Sequence, residues 1–92
     1  MSPRIENKRP IESLDSKHIM SIILFLYENG PSRRTDIYNK VCRNGSMPQK
    51  FDTLFGCGLL TENATVDGIM LNLTDKGYDV ARNLTNIEDI IR

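Results

Sequence analysis

Apolar residues along this chain recur at two periods, and the change between them divides it. Ile19, Ile22, Ile23 and Leu26 make one stripe with helical spacing, Ile37, Tyr38, Val41 and Cys42 a second, and Met47, Phe51, Leu54 and Phe55 a third. Residues three and four apart share a helix face, so three helices are expected. From Leu59 to Leu73 the pattern becomes two short extended runs, LLTENAT and IMLNL, separated by Val66-Asp67-Gly68. Asp-Gly at that place predicts a tight hairpin whose two turn residues take positive φ. Helical spacing then returns in Val80, Leu84, Ile87 and Ile91, a coiled-coil-like seam.

Local chemistry sets the boundaries. The first helix is expected to start at Asp15 or Ser16, where a side-chain oxygen caps free amides and Leu14 packs on Ile19, and to stop near Asn29-Gly30-Pro31. The second starts between Ser32 and Thr35 and is broken by Arg43-Asn44-Gly45. The third spans 46–57: Ser46 and Gln49 cap each other's backbone N–H groups, Pro48 is tolerated in the first turn, and Gly58 supplies the left-handed end. Thr74 caps the last helix, about 75–91, with Asp75 favoured by its dipole. Gly77 predicts close approach of that helix to a neighbouring backbone. A cap at Asn86 is the alternative that would break the helix near Thr85. The first fourteen residues, with two prolines and several charges, read as a flexible arm, which leaves 15–92 as one domain.

The first helix carries a second apolar face, Met20, Leu24 and Tyr27. A small domain usually covers one such face, so this one needs the C-terminal helix or another chain. Together with the seam Val80, Leu84, Ile87 and Ile91 it predicts a homodimer.

Composition narrows the class. At 92 residues and 39% hydrophobic, the chain has room for one small core. No apolar run approaches the roughly 20 residues that cross a bilayer, and the N-terminus lacks an apolar signal segment, so a cytoplasmic protein without a membrane partner is expected. Cys42 and Cys57 sit among apolar residues and, with one histidine in the chain, lack partners for a zinc site; buried free thiols and no metal are expected. His18 has no nucleophile or carboxylate partner by spacing, and no phosphate-cradling glycine motif occurs. Neither an enzyme nor a cofactor or small-molecule substrate is predicted.

Formal net charge is zero, from 12 basic and 12 acidic residues. The signs segregate, however. Residues 1–50 carry nine Lys/Arg against five Asp/Glu, and residues 51–92 three against seven. A basic half of this kind points to a polyanion-facing side.

The element order resembles the small winged-helix regulators of archaea and their viruses. The residues that carry the resemblance are Thr35-Asp36-Ile37, the run from Ser46 through Met47, Phe51 and Leu54 to Gly58-Leu59-Leu60, and Leu73-Thr74-Asp75-Lys76-Gly77, and the match covers roughly residues 16–85. It implies an α+β, mostly α winged helix-turn-helix fold, with three helices, a two-stranded hairpin wing and a C-terminal helix. It also implies a sequence-specific, double-stranded-DNA-binding transcriptional regulator, whose third helix lies in the major groove. Ser46, Gln49, Lys50 and Thr53 are then the base-reading candidates. Arg33 and Arg34, at the start of the second helix where free amides favour phosphate, are expected to position the duplex, with Lys40 and Arg43 extending the strip. Two departures stand out: the wing tip Thr65-Val66-Asp67-Gly68 has no Lys or Arg, and the chain is neutral overall. They favour the other reading, a winged-helix module that docks on protein.

Overall fold

The three apolar stripes meet in one core. In the computed structural model, which describes residues 9–41 and 47–92, the elements run α1 (Ile19–Asn29), α2 (Arg34–Lys40), α3 (Met47–Gly56), β1 (Leu60–Thr65), β2 (Gly68–Leu73) and α4 (Asp75–Ile91). Ile19, Ile22, Ile23 and Leu26 of α1, Ile37 of α2, and Met47, Phe51 and Leu54 of α3 are buried together with Leu71 and Ala81. Burying a side chain of this size contributes about 1.5–3 kcal/mol, so this cluster is the main source of stability.

The start of α1 differs from expectation. Pro10–Asp15 forms a 3-10 helix, opened by Pro10 at a position where a missing N–H costs nothing. Asp15 and Ser16 are used up by that turn and its exit, and α1 begins only at Ile19, after His18 turns the chain with φ 72°. Leu14 packs against the core from the 3-10 helix rather than from a helix start. Of the arm expected over 1–14, Pro10 to Leu14 thus has regular structure; residues 1–8 lie outside the described residues.

The α1 end follows the sequence closely. Gly30 takes φ 77° and its N–H donates to the Leu26 carbonyl at 2.8 Å. Ser32, read as a candidate helix start, has another task. Its backbone N–H donates to the Leu71 carbonyl at 3.0 Å and its carbonyl accepts from the Leu71 N–H at 2.7 Å, an antiparallel bridge beside β2. The wing is therefore tied at its base to the α1–α2 connection.

β1 and β2 pair antiparallel, with Leu60 opposite Leu73 and Thr65 opposite Gly68. The two-residue loop is Val66-Asp67, one residue earlier than the expected Asp67-Gly68 turn because Gly68 already pairs with Thr65, and its dihedrals differ as well. Among the described residues only His18, of the non-glycines, has positive φ, so Asp67 does not; Gly68 alone absorbs the twist, with φ 112°. The Thr65 hydroxyl explains the difference. It accepts from the Asp67 N–H at 3.1 Å and donates to the Gly68 carbonyl at 2.8 Å, closing the turn with a side chain.

α4 runs unbroken through Thr85, whose hydroxyl donates to the Ala81 carbonyl, and Asn86 starts no new helix. The α3 end and the α4 start are joined at one place. Gly58 ends α3 at φ 74°, and the Leu59 N–H donates back to the Leu54 carbonyl at 3.0 Å. The Thr74 hydroxyl donates to the Gly58 carbonyl at 2.6 Å and accepts from the Gly77 N–H at 3.0 Å, while the Leu59 carbonyl accepts from the Thr74 N–H at 3.0 Å. Gly77 is buried there, and a β-carbon would run into the Leu59 carbonyl oxygen and the Leu73 side chain.

Gly77→Ala is accordingly expected to lower stability by about 1–3 kcal/mol or more, because backbone must move to admit the methyl group. Gly56→Ala, where a β-carbon meets nothing within 4 Å, is expected to be neutral or to gain about 0.5 kcal/mol. Urea denaturation of both variants checks the pair; equal losses would contradict the packing described.

Candidate nucleic-acid interface

α3 has two faces because its apolar residues fall at 47, 51 and 54. With those side chains buried, Pro48, Gln49, Asp52 and Gly56 are exposed and Lys50 and Thr53 half-buried. Among the described residues, Gln49 is the most exposed of the candidate readers. The Thr53 hydroxyl donates to the Gln49 carbonyl at 3.0 Å, so its methyl is the part left for an outside partner. Asp52 shares the exposed face and opposes an approaching polyanion. Ser46 and Arg43, and with them the expected Ser46–Gln49 cap, lie outside the described residues.

α2 is short, and the roles of its two leading arginines diverge. Arg33 stands at the N-cap: its N–H donates to the Asp36 carboxylate at 3.2 Å, and its Nε lies 3.7 Å from the same group. The Asp36 carboxylate thus occupies the Arg33 amide at this helix start. Arg33 remains 56% exposed. Arg34 lies inward of it. Its guanidinium carbon sits 5.1 Å from the Phe51 ring centre and 5.9 Å from that of Phe55, and Nη2 is 3.9 Å from Glu62 Oε1. Tyr38 meets Phe51 edge-on at 5.8 Å, packing against one of the two rings beside Arg34. Lys40 is exposed at the other end of α2.

Phe55 and Glu62 join the site only through the fold. Phe55 read as a core residue of the third helix, and nothing near Glu62 in sequence marks it as a partner of Arg34. The wing itself brings no positive charge: from Phe51 to Asp75 there is no Lys or Arg. Val66 is fully exposed at its tip and Ile69 is 55% exposed behind it.

The residues assigned to a dimer contact separate into two groups. Tyr27 packs against Tyr78 of the same chain, ring centres 6.3 Å apart, and Leu24, Val80 and Leu84 are half-buried, so α4 covers part of the second α1 face; Met20 and Tyr27 stay exposed. Ile87 and Ile91, by contrast, are exposed together with Ile90 on the last two turns of α4. An open cavity of about 500 Å³ lies beside them, between the 3-10 helix and α4, lined by Ile11, Leu14, Val80, Leu84 and Ile87. Cys57 also lines it, half-buried where full burial was expected; Cys42 lies outside the described residues.

No family model matches this sequence, and no curated protein does. Among solved structures, the chain is similar to a reported archaeal mechanosensitive channel described as a structural homologue of MarR-like transcriptional regulators, with a TM-score of 0.74 and 21% identity over 100% of this chain and 80% of that one. Among the described residues, no helix is long and apolar enough to cross a membrane. Three helices, a two-stranded antiparallel hairpin and a C-terminal helix in this order give the chain a winged-helix fold, shared with that homologue of MarR-like regulators.

Proposed function

We propose that this protein is a sequence-specific regulator of transcription that binds double-stranded DNA as a homodimer, with α3 in the major groove. The observation that carries the reading is the outward polar face of α3, with Gln49 exposed and Lys50 and Thr53 half-buried, which lies in the chain between α2 and the hairpin. The likeness to a homologue of MarR-like transcriptional regulators supports the same class. Gln49 pairs with adenine, Lys50 with guanine or a phosphate, and Thr53 with a thymine methyl. Arg33, Arg34 and Lys40, with Arg43, take phosphate, and Ser46 adds a hydroxyl at the start of the recognition helix.

Exposed Ile87, Ile90 and Ile91 support the dimer, since an isolated helix end of this kind is marginal in water without a packing partner. The acidic, lysine-free wing favours the second reading, a winged-helix module that docks on protein. A gel-shift titration over random duplex at low salt separates the two: retardation at micromolar protein supports DNA binding, and none at high micromolar supports the module.

Under the DNA reading, log K falls with log salt by about 0.9 per phosphate contacted, and Arg33→Ala or Lys40→Ala each reduce that slope by about 0.9 while weakening all sequences alike. Gln49→Ala is expected to change preference among sequences with a loss of about 1–3 kcal/mol at the preferred base. Salt-independent binding contradicts the mechanism. For the dimer, replacing Ile87, Ile90 and Ile91 with serine is expected to give a folded monomer by sedimentation; a parent protein that is already monomeric at high concentration removes the dimer.

A further inference from the structure

Arg34 is placed where α2, the recognition helix and the wing meet, and three side chains hold it: the Phe51 and Phe55 rings beneath the guanidinium and the Glu62 carboxylate from β1. We propose that Glu62 is a built-in competitor for DNA phosphate. It neutralises Arg34 in the free protein, and affinity for the duplex is set by how readily a phosphate displaces it. The proposal rests on the DNA-binding reading and deepens it.

The geometry divides the two partners of Arg34 by strength. Cation–π attraction to the two rings, at 5.1 and 5.9 Å, holds the guanidinium near them before any ligand arrives. The pairing with Glu62 is looser. At 3.9 Å between Nη2 and Oε1, with the side chains 41% and 44% exposed, it is a water-screened ion pair that shifts an equilibrium by about fivefold at most. A phosphate offers two oxygens to the same fork and accepts shorter, charge-assisted bonds. Exchange therefore needs no backbone movement: the guanidinium stays near the two rings and changes one anion for another.

Asp36 is engaged by Arg33, so among the described residues Glu62 is the carboxylate recorded within ion-pair distance of Arg34. Once displaced, Glu62 carries an uncompensated charge beside the duplex. Asp67, on the same hairpin, makes no ion pair among the described residues and serves as the internal control for simple repulsion.

The test compares Glu62→Gln, Asp67→Asn, Arg34→Met and the double variant Arg34→Met with Glu62→Gln, each titrated into random-sequence duplex across a salt series. Arg34→Met keeps an apolar side chain on the rings, and thermal melts confirm that each variant folds. Glu62→Gln is expected to tighten binding about fivefold at low salt and Asp67→Asn less than twofold. Arg34→Met lowers the salt slope by about 0.9, and in its background Glu62→Gln gains no more than Asp67→Asn does. Equal gains from Glu62→Gln and Asp67→Asn, or a Glu62→Gln gain that survives Arg34→Met, overturn the competitor role while leaving DNA binding in place. If no variant retards duplex at high micromolar protein, the DNA-binding reading fails and the competitor role with it.

Discussion

The contact between Gly77 and the Leu59 carbonyl sets the relative positions of α3, the wing and α4. A helix start normally keeps a side chain's width from neighbouring backbone; here the width is absent, and α4 begins in contact with the turn that ends α3. Thr74 makes this approach chemically complete. Its hydroxyl caps α4 through the Gly77 N–H and donates to the Gly58 carbonyl in the turn that follows α3, so that the start of α4 is fastened to that turn. The base of the hairpin lies between the same residues, Leu59 at the entry to β1 and Leu73 at the exit from β2. Loosening this joint would let α3 and the wing move against the body together.

What was legible in the sequence is what local chemistry decides. The end of α3 at Gly58, the Thr74 cap and the close approach at Gly77 each follow from a few adjacent residues, and the period change at Leu59 marks the hairpin without any tertiary information. The errors arose where two local signals competed. Asp15 and Ser16 are sound caps for a helix, but Pro10 starts a 3-10 turn that consumes them. Asp67-Gly68 is a sound primed turn, but the Thr65 hydroxyl closes the loop with Asp67 at ordinary φ. Hidden altogether were the Ser32–Leu71 bridge and the Arg34–Glu62 pair, because each joins residues far apart in the chain and neither residue type announces a partner.

The same limit applies to the site. Helical spacing separates buried Met47, Phe51 and Leu54 from exposed Gln49, but it puts Lys50 and Thr53 on the outward face, where the fold leaves both half-buried. It treated Arg33 and Arg34 as one motif. In the fold they differ: Arg33 is an exposed cap residue engaged with Asp36, whereas Arg34 is a packed side chain between aromatic rings and an acid. Formal neutrality is therefore a poor guide to this surface. Of its basic side chains, Arg33 and Arg34 are already paired within the chain, with Asp36 and Glu62.

The most direct measurement of the central claim, that the exposed face of α3 is where the protein meets DNA, is a titration of unlabelled duplex into isotope-labelled protein followed by amide and arginine side-chain resonances. The account predicts the largest shifts at Gln49, Lys50 and Thr53 and at the Arg34 guanidinium, with the exposed end of α4 from Asn86 to Arg92 unchanged by DNA. Shifts concentrated at the wing tip around Val66 or along the α4 groove, with α3 silent, would contradict it.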